Sequence, residues 1–325
     1  MRRPGSTSTP RRSARGWAPT ASRTATRRAT VAENTDRTGT GAGGTESTGA
    51  GGSADGAGLS FPTSLGTSTA STISLLGRDL AGDLMGEVGF GELVLWMVTQ
   101  RRPTPGRVRL FEACLVALAD HGFTPTAIAA RLTYLSAPDS LQGAMAAGLL
   151  GGGSRFLGVT EDTGRFLAGV LAQREEAPRT DAGWDELAHE VVTRERAAKR
   201  IIPGLGHPVH KEGDPRTPAL LRIAEEEGLK GPHLRLFEAI GRTHEQVLGR
   251  RLVLNGAGVC GAALADLDLP PDLLRGFALL ARAGGLLGQL AEERRRPMAM
   301  DTYLLIDRNA TYTPPEDGDA DALRD

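Results

Sequence analysis

The segment 201-IIPGLGHPVHKEGDPR-216 decides how this chain is read. Its closely spaced glycines and prolines forbid a continuous helix or strand. Yet His207, His210, Lys211, Asp214 and Arg216 are crowded into ten residues. A loop of this composition packs poorly and presents groups to ligands well. Gly204 and Gly206 permit close backbone approach. His207 can polarise a carbonyl or pass a proton near neutral pH. Arg216 offers a planar fork for a carboxylate. Together they read as a site for an anionic carbonyl or carboxylate compound, with a capped structural loop as the rival. Zinc bound by His207 and His210 is the weaker reading, because no cysteine or further histidine lies close by in sequence.

Outward from this loop the apolar period is near 3.6 on both sides. Within 107–119, Val108, Leu110, Phe111, Cys114, Leu115 and Leu118 form one stripe, and Pro105 suits the start of that helix. LQGAMAAGLL (141–150) is closed by Gly151–Gly153. Thr160 or Asp162 is expected to cap a helix reaching about Arg174. Trp184–Lys199, Pro218–Glu227 and Leu234–Leu248 read as amphipathic helices. Pro271–Arg296 is the longest, with an expected apolar face of Leu274, Phe277, Leu280, Ala281, Gly284, Leu287 and Leu290. The only strand expectation is a short hairpin within Ser64–Ser74. The fold class is therefore all-α. The small residues of 143–148 suggest closely packed helices, across a subunit interface for instance.

The chain has 325 residues and a net charge of −1, but the charge is uneven. The first 58 residues carry nine basic and four acidic side chains and almost no apolar ones. Such a segment cannot repay its ordering entropy, so 1–58 is expected to be a disordered tail. The remaining body is acidic overall, which argues against nucleic acid and anionic membrane as partners. No apolar run is long enough for a membrane span. Cys114 and Cys260 are too few for a disulfide framework, which points to a reducing, cytoplasmic setting. His189 and His244 sit among charges and read as solvated or partly buried surface histidines. His233 reads as structural. His121 ends a helix before Gly122, where a C-terminal cap would explain it. The Gly-rich turn 148–158 matches no nucleotide-binding pattern.

ALADHG (117–122), GGGSRFLG (151–158), IPGLGHPVHKEGDPR (202–216), LVLNGAGVCGAAL (252–264) and LLARAGGLLGQLAEE (279–293) resemble the citrate synthase superfamily in order and approximate spacing. The likeness spans about 61–305. The short body, and Phe156 where citrate synthases proper use a second histidine, look closer to citryl-CoA lyases and the citryl-CoA-cleaving C-terminal part of ATP citrate lyase. The resemblance implies an all-helical homodimer or higher homo-oligomer. It also implies a large domain of 59–160 with 267–325 and a small domain of 161–266.

It further implies chemistry on the carbon–carbon bond between acetyl-CoA and oxaloacetate or a related keto acid, with citryl-CoA as the joined compound. The coenzyme A thioester is then a substrate, and no cofactor is bound permanently and no metal is needed. By matching motifs, His207 and His121 contact the oxaloacetate or citryl part, and Arg216 and Arg282 hold its carboxylates. Gly204, Gly206 and Lys211 are expected near coenzyme A. One departure stands out: the family's base is an aspartate in an N-x-D-G-like segment, and in 254-LNGAGVCG-261 that position is Ala257. Asp120, Asp214 and Asp266 are the candidate substitutes. A non-catalytic citrate- or CoA-binding homologue, an enzyme for a different acyl-CoA, and a subunit dependent on a partner are the alternatives.

Overall fold

A computed structural model of the chain describes residues 61–207 and 209–314. The expected disordered tail, 1–58, lies outside the described residues. The described chain opens with a small antiparallel sheet in which β1 (Gly66–Ser68) pairs with β2 (Ile73–Leu75), and β2 with β3 (Arg78–Asp79). The expected hairpin thus gains a third strand, because Gly77 with φ +73° allows the tight reversal after β2. Every longer element is helical.

Eleven α-helices follow among the described residues: α1 (Phe90–Thr99), α2 (Pro105–Ala119), α3 (Pro125–Ser136), α4 (Leu141–Leu150), α5 (Val159–Leu171), α6 (Asp181–Ala197), α7 (Arg216–Glu226), α8 (Pro232–Leu248), α9 (Gly256–Asp266), α10 (Leu274–Arg295) and α11 (Ala299–Arg308). Pro105 and Pro125 sit in first turns, where a missing N–H costs nothing. Ser140 caps α4 by accepting from the Gly143 N–H at 3.3 Å. α5 starts earlier than expected. Gly158 is its N-cap, and Thr160 is 1% exposed inside the first turn, so neither Thr160 nor Asp162 caps it.

The core is built around α9, whose residues from Val259 to Ala265 are all buried. Its small side chains let neighbours press close. A Cβ at Gly261 would overlap the Thr160 carbonyl of α5. α6 and α8 pack together through Trp184, Leu187 and Val191 on one side and Leu234, Phe237 and Ile240 on the other. Each such large apolar side chain contributes roughly 1.5–3 kcal/mol by leaving water. α10 lies on α2, where Phe111 and Phe277 meet edge to face at 5.4 Å.

The buried stripe of α10 differs from the expected one. Arg282, Leu286, Gln289 and Glu293 are buried, while Leu287 is 51% exposed. The polar members have partners: Glu293 bonds Arg131 of α3 at 3.4 Å and accepts from the N–H groups of Met298 and Ala299 at the start of α11. Arg131, 1% exposed, also bonds Glu292 at 2.8 Å and lies 4.9 Å over the Phe123 ring. In α4, Ala144 and Gly148 are buried, Gly148 against Leu286, whereas Leu141 and Leu150 face outward.

Candidate active site

Three chain segments converge on the loop 201–216. Asn255, the N-cap of α9, accepts from the Gly258 N–H at 2.8 Å. Its Nδ2 donates to the Gly206 carbonyl at 2.8 Å, and its own N–H donates to the Gly204 carbonyl at 2.9 Å. Gly204 and Gly206 have φ of +79° and +98°, which a side chain tolerates poorly. The close approach at Gly204 is to Phe237, Thr163 and Gly258. Neither glycine lines the cavity described below, and Lys211 is exposed.

This frame aims His207. Its Nδ1 accepts from the backbone N–H groups of Val209 and His210 at 3.1 and 2.9 Å. Backbone amides only donate, so the neutral ring carries its proton on Nε2. Burial lowers the His207 pKa, and the neighbouring His210 lowers it further against the opposing pull of Asp214. His207 is therefore a neutral hydrogen-bond donor at neutral pH.

His121 follows the end of α2. Asp120 is extended, accepts from the Gly122 N–H at 2.9 Å and accepts from Gln289 of α10 at 2.9 Å. His121 does not cap the helix; its ring lies nearly parallel to that of His207 with centroids 5.6 Å apart. A Cβ at Gly285 would overlap the Ala119 carbonyl, so α10 presses directly on the end of α2. That contact brings Arg282, one turn earlier, to the same place.

The two arginines differ. Arg216 grips Asp214 with Nε at 2.9 Å and Nη2 at 2.7 Å, while Nη1 donates to the Ala117 carbonyl at 3.2 Å. The expected free fork is thus closed by the aspartate two residues before it. Arg282 is 5% exposed and donates to Thr124 Oγ1 at 3.0 Å and to the Leu118 carbonyl at 3.4 Å; its Nε has no partner among the described residues. Burial lowers its pKa, only partly offset by Asp120. An arginine remains charged even so.

His121, His207, Arg216, Arg282, Phe156 and Ala257 line one cavity of about 350 Å³, together with Arg155, Thr124, Thr126 and Asn255. Composition did not single out the last four. The Thr-Pro and Asn-Gly patterns mark Thr124 and Asn255 only as helix caps. The candidate bases are otherwise engaged. Burial pushes the Asp214 carboxyl up, but bonds from Arg216 and from the Gly256 N–H outweigh it and hold it well below the carboxylate range. Asp266 caps α8, accepting from the N–H groups of His233 and Leu234 at 3.0 Å and meeting the His233 ring at 2.8 Å. His189 is exposed as expected. His244 is not a surface residue: it is 2% exposed, and its Nε2 accepts from the Leu252 N–H at 2.8 Å. Removing that acceptor would orphan a backbone donor, which explains its burial.

The zinc reading changes its grounds. The fold does bring a third histidine close, and His121, His207 and His210 each place a ring nitrogen within 4.8 Å of the others. The obstacle is hydrogen bonding. A ligating histidine donates its other ring N–H to an acceptor. Nδ1 of His207 faces two donors instead, so binding a metal through Nε2 would require an imidazolate.

The fold has clear relatives. A family model for the C-terminal domain of citrate synthase matches residues 71–301. Citryl-CoA lyase from Hydrogenobacter thermophilus superposes with a TM-score of 0.68 at 30% identity, covering 79% of this chain and 96% of that one. ATP citrate lyase from Methanothrix soehngenii, in complex with citrate and coenzyme A, shares the fold with a TM-score of 0.64 at 20% identity, covering 81% of this chain and 43% of that one. A citrate synthase from Synechocystis sp. is 28% identical over 68% of this chain and 54% of its own length. The chain spans about half the length of the citrate synthases first matched. The helices, the order of the segments and the family match agree: this chain belongs to the citrate synthase family.

Proposed function

We propose that the chain is an acyl-CoA enzyme of the citryl-CoA lyase or citrate synthase type, acting on the bond between an acetyl thioester and a keto-dicarboxylate. The observation that carries this is Arg282, a buried cation with no carboxylate bonded to it among the described residues, lining the same cavity as the Nε2–H of His207. A desolvated guanidinium calls for an anion. A fixed donor calls for an oxygen that gains charge during reaction. A keto acid supplies both. The 30% identity to a citryl-CoA lyase, and the citrate, coenzyme A and (3S)-citryl-CoA named in two related ATP citrate lyase structures, support the substrate class.

In this reading His207 Nε2–H holds the keto or alkoxide oxygen. Arg282 holds one carboxylate directly. Arg216, already paired, stiffens the wall and offers its remaining edge to a second. Lys211 meets the coenzyme A phosphates from the exposed side of the loop, with Gly204 and Gly206 as its backbone support. The thioester is a substrate and no cofactor is resident. The segments 161–266 act as a small domain closing on 59–160 and 267–325. A second copy covers the outward apolar side chains Leu141 and Leu150 of α4 and Leu287 of α10, giving a homodimer. We place the enzyme in the cytoplasm; no described helix is long and apolar enough to cross a membrane, and both described cysteines are unpaired and buried.

The test mixes purified protein with citryl-CoA, or with acetyl-CoA plus oxaloacetate, and follows free thiol, acetyl-CoA and citrate. Turnover well above the His207→Ala variant is expected in at least one assay. None in either removes the catalytic reading. Ala257 favours a second reading, a homologue that binds citrate or CoA without turnover, which calorimetry would then reveal.

A further inference from the structure

The cavity has a chemical gap. Arg155, Arg216 and Arg282 line it, but among the described residues no aspartate or glutamate does. Asp214 is held by Arg216, Asp266 caps α8, and Asp120 accepts from Gly122 and Gln289. Joining or splitting the carbon–carbon bond moves a proton between carbon and oxygen, which needs a group that both takes and gives one. Only His121 and His207 among the lining side chains can do so near neutral pH. His207 is excluded as acceptor: its Nδ1 already takes two backbone N–H bonds, so its free nitrogen holds the proton. His121 makes no hydrogen bond through its ring among the described residues, and it faces the His207 ring across 5.6 Å.

We propose that His121 is the general base of this chain, replacing the aspartate that its family carries at the position of Ala257. The assignment rests on the proposed acyl-CoA reading. In the condensing direction the neutral His121 ring takes a proton from the methyl carbon next to the thioester carbonyl. The C–H electron pair becomes the enolate. The enolate carbon attacks the keto carbon, the new C–C bond forms, and the carbonyl pair moves onto oxygen, held by His207 Nε2–H. His121 returns the same proton to that oxygen as a tertiary hydroxyl. Cleavage runs these steps backwards, and no outside acid, base or oxidant is required. The charged and titratable groups facing His121 are the rings of His207 and His210, the three arginines of the cavity, and Asp120 beside it in the chain.

The experiment measures kcat/KM for citryl-CoA cleavage against pH in the wild type, His121→Gln, Ala257→Asp and the double variant, with citrate affinity by calorimetry as a check on folding. His121→Gln is expected to lose about 10²-fold or more. The wild-type profile should carry an acid-side limb set by the group that takes the proton. The double variant should regain activity with that limb moved down toward the carboxylate range. Unchanged turnover in His121→Gln overturns the assignment alone. So does a loss that aspartate at 257 fails to restore, which would make His121 a positioning residue. Citrate binding without any wild-type turnover overturns the assignment together with the catalytic reading.

Discussion

Arg216 and Arg282 reach the same cavity from different helices, yet they answer to different demands. Arg216 starts α7 and is neutralised by Asp214, whose carboxylate also takes the Gly256 N–H at the head of α9. Arg282 comes from the middle of α10 and, among the described residues, bonds only hydroxyls and a carbonyl. The first pair closes the fold on itself. The second leaves a buried positive charge with no carboxylate bonded to it among the described residues. In the proposed reading, two identical side chains thus divide the holding of the scaffold from the holding of the substrate.

The comparison breaks most readily at Asp214. Asp214→Asn leaves Arg216 half-buried without its counter-charge and weakens the Gly256 bond. A loss of about 3–5 kcal/mol in urea unfolding is expected, as for one partner removed from a buried pair. A loss under about 1 kcal/mol would mean that Arg216 is no structural clamp. Arg282→Met should do the opposite. Unfolding stability stays level or rises, because an unpaired buried charge is gone, while citrate affinity in calorimetry falls about 10- to 150-fold, the worth of a charged hydrogen bond. Equal stability losses in the two variants would erase the distinction.

Acid titration gives the smallest effect. The folded-state Asp214 carboxyl lies below its unfolded value, so its stabilisation is complete above the unfolded value and fades as pH falls toward the folded one. About 1 kcal/mol should be lost by pH 3 relative to pH 6. Asp214→Asn, measured in parallel, should lack that part of the acid slope.

The helical architecture was legible because apolar spacing reports burial, and α2, α4, α6 and α8 lie close to where that spacing puts them. α10 was misread at Leu287 because its buried stripe carries Arg282, Gln289 and Glu293, polar groups whose partners come from α2, α3 and the segment between them. His207 and Arg216 stood out in the loop itself, His121, Arg282 and Ala257 came through segment resemblance, and all five share one cavity. Pairing was beyond reach. Nothing in DPR says that the arginine turns back on its own aspartate. Nor does His244 among charges announce a buried acceptor for Leu252, since both depend on where a distant backbone ends.

Gly285 touches no cavity wall, yet it fixes the span of one. With only a hydrogen facing the Ala119 carbonyl, the backbone of α10 lies directly against the end of α2. Even a methyl group there would lift the helix and draw Arg282 away from His121. In the proposed reading, the calibre of the acid that fits is thereby gauged at a residue that never meets it.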